Sequence, residues 1–294
     1  KDIAEPAALA LPSAVGGVVT LPAIPDSRQN LAGGWARYDA EATNLTGRVD
    51  YRFTDRLAAK VEIGRAETLR DRDYSQFQGY DLVTGEGTLR LFQTRGQRYL
   101  NENVRAELTG LFETGPLRHE LTLGWTWNER SQNGRGNQIT NVAQNLYAPR
   151  LIAPIAVTTT LATNPSTITD EGLYLFDRVR LGEQWQVIAG VRASDYESVT
   201  ATTRYTAEES SPLFAVLWQP VESVSLYATY LEGLEEGGTA PANTVNAFEV
   251  LPPAKSEQVE VGIKAELFQR FTAALSAFQI ERASAFTNSA NRFV

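Results

Sequence analysis

The sequence predicts an all-β fold: the wall of an antiparallel transmembrane β-barrel, about ten strands long, with short turns on one side and long loops on the other. Three observations carry this. From Gln258 the chain alternates without error, so that Val259, Val261, Ile263, Ala265 and Leu267 point one way and Gln258, Glu260, Gly262, Lys264 and Glu266 the other. The same two-faced pattern recurs along most of the chain, as a sheet wrapped in lipid and wetted within requires. Five short turns alternate with four long loops, matching the tight periplasmic turns and elaborate extracellular loops of outer-membrane barrels. A soluble sandwich could share the strands but not that asymmetry.

Residues 1–43, rich in Ala, Pro and Gly, read as loop apart from a short strand near residues 15–21. Alternation then begins. Over residues 44–53, Leu45, Val49, Tyr51 and Phe53 share the apolar face, and Arg48, Asp50 and Arg52 the polar one. After a turn at residues 54–56, Leu57, Ala59, Val61 and Ile63 return against Lys60 and Glu62, completing a hairpin. A long polar segment, residues 65–98, follows. The second hairpin sets Val104, Ala106, Leu108 and Phe112 against Arg105, Glu107 and Thr109. It turns through residues 113–118 and returns with Leu121, Leu123, Trp125 and Trp127 outward, Glu120, Thr122, Gly124 and Thr126 inward.

Another long loop spans residues 129–168. Strands then cover residues 169–181 and 185–198, joined at Gly182-Glu183-Gln184, and residues 208–219 and 224–231, joined at residues 220–223. The final pair is the stretch ending at Leu267 and residues 271–282, whose alternation is too poor to assign faces. Inward charges such as Arg48, Asp50, Lys60, Glu62, Arg105, Glu107, Arg192, Glu260 and Lys264 exclude a dry interior, because an unpaired buried charge costs several kcal/mol. The lumen must hold water or a polar plug, so the complete barrel is wide.

Composition removes other classes. No apolar run approaches the roughly 20 residues of a membrane-spanning helix, whereas a tilted β-strand needs only about 9 to 11. A net charge of −8 argues against a nucleic-acid partner. With no cysteine, neither disulfides nor thiolate metal sites can form. Methionine is also absent, and the chain reads as an excerpt of a longer protein.

Catalytic signatures are weak. The single histidine, His119, opens a strand beside a short turn and reads as a solvated strand-end residue. Asp50 with Glu62, or Glu107 with Glu120, could be presented as carboxylate pairs across hairpins, but they read as wall charges offset by neighbouring arginines. Neither a metal-ligand cluster nor a phosphate-cradling glycine loop is present, so no catalytic or metal-ligating residue is assigned. The candidate substrate-binding residues are aromatics in or beside the long loops: Trp35, Tyr80, Tyr99, Tyr147, Tyr205 and Phe248. Rigid amphipathic rings bind organic ligands at low entropic cost. Outward Trp125, Trp127, Trp185 and Tyr230 read as interfacial girdle or lipid-face residues.

Two stretches in order, Leu226-Tyr-Ala-Thr-Tyr-Leu-Glu-Gly-Leu-Glu-Glu-Gly-Gly-Thr-Ala-Pro241 and Leu251-Pro-Pro-Ala-Lys-Ser-Glu-Gln-Val-Glu-Val-Gly-Ile-Lys264, closely resemble the barrel of TonB-dependent outer-membrane receptors of the ferric-siderophore type. Gly172-Leu-Tyr-Leu-Phe-Asp177 and Gly190-Val-Arg192 resemble a second signature hairpin of that family, with Asp195 one residue later than its usual acidic position. The resemblance implies a barrel of about 22 strands around an N-terminal plug. It also implies uptake of a ferric siderophore with energy from the TonB complex, acting through the plug, in the outer membrane of a Gram-negative bacterium. The iron would arrive as a chelate, so no resident cofactor and no enzymatic activity are expected. Residues 1–294 would be a partial barrel domain, with plug and C-terminal strands outside them. A passive porin or autotransporter-type translocator is the alternative. An outer-membrane hydrolase would need Ser, His and acid groups at the outer rim, whereas His119 lies at the periplasmic end.

Overall fold

In the computed structural model, residues 2–4, 7–12, 14–26, 28–158, 160–235, 237–241, 243–247, 249, 251–268 and 270–294 are described. They form strands and connections, with no helix among them. The strands are β1 (Asp2–Ala4), β2 (Ala8–Leu9), β3 (Arg37–Thr54), β4 (Leu57–Gln78), β5 (Glu86–Thr114), β6 (Leu117–Gln132), β7 (Gln138–Asn145), β8 (Ser166–Leu181), β9 (Trp185–Thr200), β10 (Arg204–Val221), β11 (Val224–Glu235), β12 (Ala254–Leu267) and β13 (Phe271–Glu281). They lie in one sheet in the order β1-β3-β4-β5-β6-β8-β9-β10-β11-β12-β13, with β2 on β4 and β7 on β5. The ten long strands are those the alternation predicts, and they join at the predicted short turns.

The strands run further than the pattern suggests. Residues 65–98, an undivided polar excursion in the sequence, belong mostly to β4 and β5, which part only around residues 79–85. Over residues 70–73 both faces are polar, so no apolar alternation links the start of β4 to Phe77, Leu89 and Leu91 beyond it. β3 likewise starts at Arg37, inside the expected N-terminal loop, and β7 lies within the expected loop 129–168. The strand expected near residues 15–21 is only a single bridge between Val15 and Val18; β1 and β2 precede it.

Two compact units result. The first comprises residues 46–65, 102–129 and 167–294, and is the wall. Its apolar rows are exposed: Val259 and Val261 keep 50% and 51% of their surface, while Glu260 between them is half-buried. That is the reverse of a globular core. Register against β12 settles the faces of β13, since Glu260 opposes Phe278, Val261 opposes Ala277 and Ile263 opposes Leu275. Trp185 and Trp218, a cross-strand pair beside the short turns, stack at 5.5 Å, as an interfacial girdle would.

On the polar face of the wall, aromatic rings cover glycines of the adjacent strand. A Cβ at Gly124 would fall 2.1 Å from the Tyr174 ring, and one at Gly190 would fall 1.9 Å from Phe176. This ring-over-glycine packing pins strand register. Gly190→Val forces the Phe176 ring aside and is expected to cost about 1–3 kcal/mol, read as a lower unfolding midpoint in urea. An unchanged midpoint would remove this packing role.

The second unit comprises residues 1–45, 66–101 and 130–166. It has a core: Ala32, Ala36, Phe77, Leu89, Leu91, Leu146 and Ile152 are buried together. Buried Gln144 fastens two segments to it, donating to the carbonyls of Leu31 (2.9 Å) and Arg150 (2.8 Å). At the β4–β5 tip the Asp81 carboxylate accepts the amides of Thr84 (2.6 Å) and Val83 (2.8 Å). Those bonds hold its pKa below the usual carboxylate value, Thr84 contributing most. A depressed pKa means tip stability that is complete above the ordinary value of about 3.9 and is lost as pH falls through the lower folded value. Hydrogen exchange at residues 83–85 is therefore expected to accelerate in acid, after correction for intrinsic rates, in the native protein but not in Asp81→Asn.

Candidate functional site

The candidate site lies in the second unit, on one face of β4 and its neighbours. Along β4, Arg70, Arg72 and Tyr74 share a face by alternation with Asp71 and Asp73, continuing the parity of Lys60 and Glu62. The Arg70 guanidinium lies between two rings, 4.8 Å from the centroid of Tyr99 and 5.5 Å from that of Tyr38. It also donates to the Tyr99 hydroxyl (2.5 Å) and to Gln97 (2.6 Å). Arg72 lies 4.4 Å from the Tyr74 centroid and 5.9 Å from that of Tyr38. Tyr74 stacks on Phe92 at 4.7 Å, and Arg90 covers Phe92 at 5.0 Å. The result is a continuous ladder of three guanidinium groups and four rings, every member half-buried.

Phe92 and Tyr99 have opposite parity on β5 yet both face the ladder. Gly96 between them explains this: its φ of +65° is left-handed, and its amide donates to Asp71 at 2.7 Å. Such a residue shifts the alternation by one, as in a β-bulge. Nearby, Arg95 pairs with Asp73 at 2.8 Å and Arg98 with Glu67 at 2.5 Å. Arg70 instead is held by a neutral amide, a hydroxyl and ring faces. Its charge remains available to an anion, because quadrupolar attraction orients a cation without neutralising it.

The sequence-predicted aromatics divide between several places. Tyr99 is part of the ladder. Trp35, Tyr80 and Tyr147 pack against the core of their unit. The Trp35 indole donates to the Ile152 carbonyl (2.8 Å), the Tyr80 hydroxyl to Ala10 (3.0 Å) and the Tyr147 hydroxyl to Leu82 (2.8 Å). Burial, with Tyr147 as a second cause, raises the Tyr80 pKa. Tyr205 belongs to the other unit, tilted against Tyr196 at 6.4 Å, and Phe248 lies outside the described residues. Periodicity and loop position do not mark Arg70, Arg72, Tyr38 or Phe92. Arginine alternating with tyrosine over residues 70–74 was the available signal.

The wall's polar face carries paired charges. Glu62 pairs with Arg105 (2.9 Å), Glu107 with Lys60, Asp50 with Arg48 (2.7 Å) and Glu120 with Arg178 (3.4 Å). Each carboxylate considered as half of an acid–base pair thus has its own cation. His119 is not the solvated residue expected from sequence. Its Nδ1 lies 2.7 Å from Asp177, its ring stacks on Phe112 at 4.7 Å, and its side chain is 14% exposed. Both partners come from neighbouring strands, and Asp177 is remote in sequence, so local spacing could not reveal the pair.

The family model described as TonB dependent receptor-like, β-barrel, matches residues 8–293. The chain belongs to this family. Its place is therefore the outer membrane of a Gram-negative bacterium. The ferrichrome receptor FcuA of Yersinia enterocolitica is 27% identical over 300 residues, covering 94% of this chain and 38% of the relative. Among solved structures, the ferric preacinetobactin receptor BauA of Acinetobacter baumannii superposes with a TM-score of 0.78 at 22% identity, over 99% of this chain and 45% of that one. The ferric-catecholate import receptor Fiu of E. coli K12, in its closed form, gives 0.75 at 16% identity, over 92% and 45%. The chain thus spans less than half the length of each of these relatives.

Proposed function

We propose that this chain is part of the barrel of an outer-membrane receptor that captures a ferric siderophore and imports it with TonB-supplied energy. The observation that carries the reading is the Arg70–Arg72–Arg90 ladder with its interleaved rings. A ferric chelate presents anionic oxygen donors around the metal and organic surface elsewhere, and guanidinium next to aromatic faces matches both. The iron stays within the chelator, so the receptor's task is non-covalent recognition and no protein ligand to iron is invoked. The names of the relatives, receptors for ferrichrome, ferric preacinetobactin and ferric catecholates, support the class of cargo. Tyr99, a member of the ladder and one of the sequence candidates, is proposed as a further contact.

The exposed apolar rows of the wall are read as lipid-facing and the charged rows as lining a wet or plugged lumen. A plug supplied by another part of the polypeptide would occupy that lumen and take the pull of the TonB complex. The test is equilibrium binding of a panel of ferric hydroxamate, catecholate and carboxylate chelates to the full-length receptor, followed by intrinsic tryptophan quenching. Saturable quenching by at least one ferric chelate, and not by its iron-free form, is expected. Absence of saturable binding across the panel, together with ion conductance in planar bilayers, would favour a passive pore.

A further inference from the structure

At the short-turn end of the wall a cavity of about 340 Å³ is lined by Arg56, Arg118, Arg178 and Arg180, by Glu113 and Glu120, and by Leu111, Phe112 and His119. All of these belong to one compact unit. Leu111 and Glu113 on β5, Arg118 and Glu120 on β6, and Arg178 and Arg180 on β8 carry the parity of Glu107, Gly124 and Tyr174, and Phe112 and His119 the other, so the cavity lies chiefly on the polar face. Further along the same face each of Arg105, Lys60 and Arg192 has a carboxylate partner. Among the described residues Arg56, Arg118 and Arg180 have none within ion-pair distance, and Arg178 reaches Glu120 only at 3.4 Å. Four guanidinium groups against two carboxylates is a local cationic excess in a chain whose net charge is −8. Like charges crowded at one cavity repel one another, and bound carboxylates would relieve this.

We propose that this cavity is a docking site for an acidic peptide segment lying in the lumen at the periplasmic end. Guanidinium forks accept carboxylates in bidentate geometry, which favours Asp and Glu side chains. The volume is at the small end of the roughly 300–1,000 Å³ of ligand pockets, enough for one or two side chains but not for a whole ferric chelate. The polar-face position disfavours a lipid headgroup. The site belongs to the barrel wall alone and does not depend on which chelate the receptor carries.

The test places the photoreactive amino acid p-benzoyl-phenylalanine at Leu111 of the full-length receptor in outer membranes, irradiates, and identifies adducts by mass spectrometry. The expected product joins Leu111 to a peptide carrying at least two Asp or Glu residues. Its yield should fall about tenfold when Arg56→Gln, Arg118→Gln and Arg180→Gln are combined in a receptor that still shows the heat-modifiable mobility of an assembled barrel. Should the triple variant not assemble, Arg180→Gln alone is expected to lower the yield about threefold. A phospholipid adduct, a peptide without acidic residues, no adduct beyond the wall's own strands, or a yield indifferent to the arginines would overturn the proposal.

Discussion

Replacing Arg70 and Arg72 together with alanine in the full-length receptor is expected to weaken binding of its ferric chelate by about 100-fold. A desolvated cation over a ring contributes about 2 kcal/mol, and a charge-assisted hydrogen bond about 1.5–3 kcal/mol. Losing one such contact at each arginine gives roughly 3 kcal/mol, and every 1.4 kcal/mol is tenfold in affinity. Arg98→Ala supplies the comparison, because Arg98 is already satisfied by Glu67, and its loss should change affinity by less than about threefold. Both variants keep the strands, since none of Arg70, Arg72 and Arg98 belongs to the buried core of the unit. Equal affinities for the double variant and the native receptor would show that the ladder is structural and that the chelate is held elsewhere.

The second large effect concerns the outward face. Val261 lies six residues from the end of β12. At about 3.3 Å per residue and a tilt of about 45°, that places it about 14 Å above the short turn, close to the middle of the apolar band. Val261→Arg is therefore expected to destabilise the folded receptor by about 2–4 kcal/mol in lipid bilayers. Glu260→Gln, one residue away on the other face, should cost less than about 1 kcal/mol, because the amide can still accept from the Tyr227 hydroxyl. Urea titration of the receptor in liposomes separates the two. Comparable costs at both positions would contradict a lipid-facing Val261.

What the sequence could disclose follows from where one face of a strand meets a different medium from the other. β12 shows its whole pattern because Val259, Val261 and Ile263 alternate with Gln258, Glu260 and Gly262, and the register to β11 and β13 keeps those rows intact. Beyond the apolar band the contrast disappears. Arg70, Asp71, Arg72 and Asp73 are polar on both faces, so the alternation stops short although β4 continues to Gln78. The ladder was hidden for the same reason, and for a second: Gly96 shifts the parity of β5, so no fixed period connects Phe92 with Tyr99. Trp35, Tyr80 and Tyr147 stood out as loop aromatics, but no periodicity shows that residues 31–36 and 146–152 build a core beneath them. His119 illustrates the limit of spacing most simply, because its partner Asp177 is adjacent only across strands.

The barrel orientation requires Val261 to meet hydrocarbon while Glu260 meets water or a polar plug. This chain contains no cysteine, so nitroxide labels on Val261→Cys and Glu260→Cys receptors report single sites within it. Reconstituted in bilayers, the label at position 261 should collide more with oxygen, which dissolves in hydrocarbon, than with a water-soluble nickel chelate. The label at position 260 should show a lower ratio of oxygen to nickel collisions. A label at 261 relaxed chiefly by the nickel chelate, with the one at 260 relaxed chiefly by oxygen, would contradict the barrel orientation on which the lumen, the ladder and the arginine cavity all rest.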